Sequence, residues 1–287
     1  MEKKNPRLNS VSILVSLMFC FWVLLACNLT KVVFPNSTQA TPTLQSIQPT
    51  AEQEEIAEQE EIIVATQTNA PTIPLLEQRR YYEEGEHLPY TISITYCQAP
   101  QQEAAFQRFN DVVDQFLNQQ IIEFKQAVQE TTNNEQYSAA DGLSMSLTIT
   151  CEAAYLSPDL ISILFNVDTF LGGAHPMLTA HTINYDIAQQ TVLTLADLFE
   201  PQAPYLNLLA DYCTKDLSAR NVLEFSEGAE PTEENYRNWL LRPQGIEIIF
   251  DPYQIAPYAL GRQTVLIPYA ALPAGLKKGG VIDKIRR

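Results

Sequence analysis

Strict alternation in Tyr90-Thr91-Ile92-Ser93-Ile94-Thr95-Tyr96 gives an extended segment one apolar face and predicts a β-strand. Just after it, Phe106, Phe109, Val113, Phe116, Leu117, Ile121, Phe124 and Val128 recur every three or four residues. That is the stripe of a long amphipathic helix facing a core, not a ligand box. Met145, Leu147, Ile149 and Cys151 alternate with Ser146, Thr148 and Thr150 in a second strand. Ser157-Pro158-Asp159 reads as a turn, and Leu160 to Leu171 as a third strand.

Beyond Gly172-Gly173, His181 to Asp186 and Thr191 to Leu195 predict a hairpin around Ile187-Ala188-Gln189-Gln190. Ala203 to Arg220 predicts a second helix. Late strands are expected at Trp239 to Leu241, Ile246 to Phe250 and Thr264 to Ile267, punctuated by Pro243-Gln244-Gly245, Pro252, Pro257 and Pro268. Strands and helices are partly segregated. The class expected is therefore α+β, with antiparallel or mixed sheets and a long amphipathic helix in each half.

The first 80 residues follow neither period. Lys3, Lys4 and Arg7 precede an almost wholly apolar run from Val11 to Ala26. The run is short for a membrane span of about 20 residues and has the order of an export signal. It ends in Leu24-Leu25-Ala26-Cys27, which is similar to the lipobox of bacterial lipoproteins. That resemblance implies lipid attachment at Cys27 and a protein exported and anchored on the extracytoplasmic face of a bacterial membrane. From Asn28 to about Arg80, Ser, Thr, Gln, Pro and Glu dominate, and the hexapeptide Ala51 to Ile56 is repeated at once as Ala57 to Ile62. Such a composition buries too little apolar surface to fold alone, so a disordered tether is expected. As a coil it would span roughly 40 Å. The organisation expected is a signal peptide at 1–26, a tether at 27–80, an α+β unit at 81–171, a second domain at 172–275 and a basic tail at 276–287.

The formal net charge is −16, and cleavage at Cys27 would remove three basic residues and one acid. A surface this acidic repels phosphates, which argues against nucleic-acid binding. Lys277, Lys278 and Lys284 to Arg287 are expected to form a solvated tail, with the protein's own acidic face or a membrane as alternatives. After processing, Cys97, Cys151 and Cys213 remain, in no zinc-like spacing, so no metal site is expected. The crossover of a strand–helix–strand unit can set Cys97 beside Cys151. Parity opposes this, since Cys97 shares a face with Thr91, Ser93 and Thr95 while Cys151 continues the apolar face. Bent strand ends would allow the bond, leaving Cys213 as the free thiol.

Little of the chemistry is convergent. No Gly-x-Ser-x-Gly elbow and no His-Glu-x-x-His occurs. His175, in Leu171-Gly172-Gly173-Ala174-His175-Pro176, has two readings. It is a catalytic base oriented by Asp186 or Asp197, or it sits on a structural corner. In the second reading Gly172 and Gly173 supply positive φ, Pro176 biases His175 to extended backbone, and the ring bonds a carbonyl or a carboxylate such as Asp186. Tyr253, Tyr258 and Tyr269 fall close together in proline-stiffened turns. They read either as a recognition surface or as rings capping a core. Trp239 is expected in the core.

One resemblance spans most of the remaining chain. Leu171-Gly172-Gly173-Ala174-His175, Asn184-Tyr185-Asp186 and Leu195-Ala196-Asp197-Leu198-Phe199 occur in order. Gly245-Ile246-Glu247, Phe250-Asp251-Pro252-Tyr253, Ala256 to Gly261 and Val265 to Tyr269 follow. This set resembles the C-terminal domain of unknown function of RsiV-type anti-sigma factors, and the unit before it resembles the companion domain of PdaC-type deacetylases. The resemblance implies a non-catalytic ectodomain that binds a lysozyme-like protein or peptidoglycan, with His175, Tyr253 and Tyr258 as candidate ligand surface and no cofactor. In PdaC-type proteins the catalysis belongs to a separate deacetylase domain. About ten residues precede the apolar run, too few for a sigma-binding segment. The alternative is a cell-wall hydrolase or deacetylase-associated enzyme using His175 and nearby acids.

Overall fold

A computed structural model describes residues 73–100, 104–133, 144–272 and 275–286. Cys27, the apolar run and most of the expected tether lie outside the described residues. Six strands form one sheet in sequence order: β1 (Glu77–Glu84), β2 (Tyr90–Gln98), β3 (Met145–Leu156), β4 (Leu160–Phe170), β5 (Met177–Asp186) and β6 (Thr191–Val192). Only β2 and β3 run parallel. A parallel pair needs a long crossover, and the 29-residue helix α1 (Ala104–Thr132) supplies it.

The stripe of α1 read from the sequence is the buried one: Phe106, Phe109, Val113, Leu117, Ile121, Phe124 and Val128. It covers the sheet face built by Ile92, Ile94, Leu147, Ile149, Phe165 and Tyr185, all nearly inaccessible. Phe109 meets Tyr185 edge-on at 5.5 Å between ring centroids. Phe116 packs on Phe165 and lies flat on His181 at 3.9 Å. Burial there pushes the His181 imidazole down to about 4.

The other face of the sheet divides. Over β2 and β3 it is polar and open, with Ser93, Thr148 and Thr150 exposed. Over β4 and β5 it is covered by a second, antiparallel sheet of β7 (Trp239–Leu241), β8 (Gly245–Phe250) and β9 (Gln263–Pro268). Leu164 and Ala180 meet Leu240 and Ile249 there, joined by Ala154 at a bulge in β3. The junction is fastened by polar groups as well. Asn184 donates to the Trp239 carbonyl (2.8 Å) and accepts from the Leu241 N–H (3.1 Å), and the Ser162 hydroxyl donates to it at 2.6 Å. A buried backbone edge left unpaired is costly, so these side chains act as a ladder for β7. Helix α2 (Tyr205–Ala219) closes the far side, with Leu209, Cys213 and Leu217 in a core with Ile246, Ile248, Phe250, Val265 and Ile267.

The protein is α+β with a mixed and an antiparallel sheet, but its helices are unequal: α1 has 29 residues and α2 has 15. The six-stranded sheet continues past 171/172 through β5 and β6. Two boundaries differ from expectation. Strand β1 starts at Glu77, inside the stretch read as tether. The C-terminal segment is not a solvated tail. Leu276 bridges Phe199, Val281 and Ile282 of α3 (Val281–Ile285) are buried, and the Lys284 ammonium lies 2.7 Å from the Asp186 carboxylate.

Cys97, next to last in β2, and Cys151, in the middle of β3, are disulfide-bonded with Cα atoms 5.7 Å apart. The β2–β3 register runs only to Thr95 and Thr150. Past that point the strands are free to diverge from strict pairing, which removes the parity objection. Cys213 is a free, buried thiol pushed up to about 12 by burial.

Candidate recognition surface

The loop after β4 brings His175 to the surface. Gly172 and Gly173 take φ of +95° and +110°, a region that side-chain-bearing residues avoid. No atom lies within 4 Å of where their Cβ atoms would be, so backbone conformation, not space, requires glycine there. The His175 Nδ1 is 2.9 Å from the Pro176 carbonyl oxygen. A carbonyl only accepts, so in the neutral ring Nδ1 carries the hydrogen and Nε2 accepts from the Tyr253 hydroxyl at 3.3 Å. The same ring stacks on Tyr258 with centroids 3.7 Å apart and planes 17° apart, and Tyr253 lies 5.7 Å from Tyr258. Three aromatic rings from two distant segments thus form one exposed cluster, Tyr253 being 49% accessible.

Tyr253 is held in an unusual backbone state, φ +69°. A bulky residue there is an outlier that its surroundings must enforce. The turn is closed by Tyr253 N–H to Ala256 O (3.0 Å) and Gln254 N–H to Asp251 O (3.0 Å). Gln254 donates in turn to the carbonyls of Gly228 and Asn235. Asp251, 6% accessible, ties this turn to β5 by accepting from the Ala180 N–H at 2.8 Å. Burial raises its carboxyl above the ordinary range, while that N–H and the guanidiniums of Arg262 (3.5 Å) and Arg237 (3.7 Å) pull it down. Arg262 also donates to Asn166 on β4.

The expected partners of His175 are elsewhere. Asp186 is at the opposite end of β5, about 30 Å along the strand at 3.3 Å per residue, fully buried against Lys284 and the Gln189 N–H. Asp197 accepts from the Thr194 N–H and hydroxyl, capping the 3-10 turn Leu195–Leu198. A His175–Asp186 or His175–Asp197 dyad is therefore not assembled, and the ring bonds a carbonyl and a tyrosine instead. Tyr269 is separate too: it is buried, donating to the Arg242 carbonyl at 2.8 Å. Trp239 is in the core. Among the described residues no cluster of three or more His, Cys, Asp or Glu is placed to hold a metal ion. Nor is any described helix long and apolar enough to cross a membrane.

Two features escaped the sequence reading. Asp251 and Arg262 position the aromatic cluster, but their partners Ala180 and Asn166 lie 71 and 96 residues away, with no local signal. A cavity of about 340 Å³, lined by Leu195, Ala196, Tyr205, Glu233, Arg237 and Trp239, forms where α2 leans on the end of β5.

Comparison with known proteins agrees with this layout. The "Deacetylase PdaC" family profile matches residues 83–178, and "Protein of unknown function (DUF3298)" matches residues 196–270. The chain carries a PdaC-type domain followed by a DUF3298 domain. It is 27% identical over 209 residues to the peptidoglycan-N-acetylmuramic acid deacetylase PdaC of Bacillus subtilis (strain 168), covering 71% of this chain and 42% of that protein. It is 27% identical over 109 residues to the immunogenic protein MPT64 of Mycobacterium tuberculosis (strain ATCC 25618 / H37Rv), covering 37% of this chain and 47% of that one. The chain thus spans less than half the length of these relatives. In structure, a DUF3298 family member from Bacteroides fragilis NCTC 9343 aligns with a TM-score of 0.53 and 18% identity, over 74% of this chain and 97% of its own. That likeness concerns the fold.

Proposed function

We propose that this chain is a non-catalytic protein of the bacterial envelope, tethered through lipid at Cys27, whose His175–Tyr253–Tyr258 cluster binds a cell-wall glycan. The observation that carries the reading is the exposed stack itself, with Tyr253 kept in a strained backbone state at its rim. Strain held by a surrounding network is a mark of functional loops. Exposed aromatic rings with hydroxyls offer flat apolar faces and directed hydrogen bonds to sugars. The relative named as acting on peptidoglycan N-acetylmuramic acid shares the PdaC-type region, which supports a cell-wall ligand. A lysozyme-like protein ligand, implied by the RsiV-type resemblance, is the second reading.

Binding of soluble muropeptides and of lysozyme to wild type and to Tyr258→Ala, by calorimetry, tests the proposal. Muropeptide binding that Tyr258→Ala abolishes, with melting unchanged, is the expected result. Lysozyme binding alone selects the second reading, and hydrolysis or deacetylation of the muropeptide by wild type overturns the non-catalytic one.

A further inference from the structure

Strand β1 ends the six-stranded sheet, and among the described residues nothing pairs with its outer edge. Alternate residues of this eight-residue strand aim unpaired N–H and C=O groups outward, a template for another strand. The phase of that edge follows from one bond. Gly85 donates to the Tyr90 carbonyl opposite it, so odd-numbered residues of β1 turn their backbone groups towards β2. Even-numbered residues, including Arg80, Tyr82 and Glu84, therefore aim theirs outward. Their side chains share the open sheet face, where Tyr82 is 63% accessible and Arg80 and Glu84 are exposed.

We propose that a second copy of this chain pairs with that edge, β1 against β1 in antiparallel, with a twofold axis through Tyr82. Such an axis stands perpendicular to the sheet and keeps like faces together, so each residue must meet one of the same parity. An axis at Tyr82 sets its backbone against its own copy and brings Arg80 opposite Glu84 twice. The sequence Glu77-Gln78-Arg79-Arg80-Tyr81-Tyr82-Glu83-Glu84 is thus self-complementary in charge when read against itself. Opposite charges facing each other across strands are favourable, and like charges are not. An axis at Tyr81 would instead oppose Arg79 to Glu83, charges already held by Glu77 and Lys125 at 2.7 and 2.6 Å. The Tyr82 register uses charges on the open face that have no ion-pair partner among the described residues, Arg80 and Glu84, the Glu84 carboxylate accepting from the Tyr82 hydroxyl of its own strand. It makes one continuous sheet of two protomers.

Sedimentation equilibrium of the full chain, in density-matched detergent at about 0.15 M salt, reads the outcome. Wild type is expected to dimerise. Arg80→Glu is expected to weaken the dimer by about tenfold or more, and Arg80→Glu with Glu84→Arg to restore it. Under mild oxidation Tyr82→Cys is expected to cross-link to its own copy, whereas Glu84→Cys, whose copies lie far apart in this register, is not. A monomer at all concentrations, as when a segment of the same chain covers the edge, overturns the proposal. So does a dimer indifferent to Arg80→Glu, or equal cross-linking of the two cysteine variants.

Discussion

The carboxylate of Asp251 accepts from the backbone N–H of Ala180 at 2.8 Å, joining residues 71 positions apart. It is the fastening that sets the Tyr253 turn over the start of β5 and so over His175. Removing it leaves Ala180 unpaired and the Arg262 guanidinium, 13% exposed, without its 3.5 Å counter-charge. Asp251→Ala is expected to lower stability by about 3 kcal/mol. Asp251→Asn, which keeps an acceptor, is expected to cost less. Chemical denaturation of both variants checks the order, and equal losses would mean that the Ala180 bond matters little.

The glycine corner carries a backbone cost alone. With φ at +110° and open space around it, Gly173→Ala is expected to cost about 1–2 kcal/mol. His175→Ala, which loses exposed bonds to the Pro176 carbonyl and the Tyr253 hydroxyl and the stack on Tyr258, is expected to cost about 1 kcal/mol. Thermal melts rank the two.

His181 provides a pH signature. Its folded value of about 4 lies below the ordinary 6.5, so between these values the unfolded chain binds more protons. Its contribution is fully present above pH 6.5 and is lost as pH falls towards 4, up to about 3 kcal/mol in all. His181→Leu is expected to flatten the stability profile across that window relative to wild type. An unchanged slope would show that His181 is solvated.

The disulfide closes a sequence separation of 54 residues. Its removal by Cys97→Ser with Cys151→Ser is expected to cost about 3–4 kcal/mol. Cys213, buried and with its thiol held up to about 12, is expected to resist maleimide until denaturant is added. Chemical denaturation reads the first, and mass spectrometry of the labelled protein before and after unfolding reads the second.

The anchor proposed at Cys27 predicts that Cys27→Ser moves the protein from the membrane fraction or leaves an unprocessed precursor. An unchanged distribution with a mature N-terminus elsewhere removes the lipid from the picture.

What the sequence determined by itself is local. Alternation placed β2 and the start of β3, and the spacing from Phe106 to Val128 placed α1 and its buried stripe, because burial on one face writes its period directly into the chain. Gly172 and Gly173 marked a positive-φ corner for the same local reason. Strand β1 was missed because Glu77-Gln78-Arg79-Arg80-Tyr81-Tyr82-Glu83-Glu84 lies at a sheet edge with both faces largely polar, which leaves no apolar alternation to read. The tertiary structure alone decided which acid serves which neighbour. Asp186 went to Lys284 and Asp197 to Thr194, and Asp251, read only as part of a turn, became the group that positions the aromatic cluster. A carboxylate's partner is whatever donor folding brings within about 3 Å, and donors 71 or 98 residues away leave no periodic trace beside it.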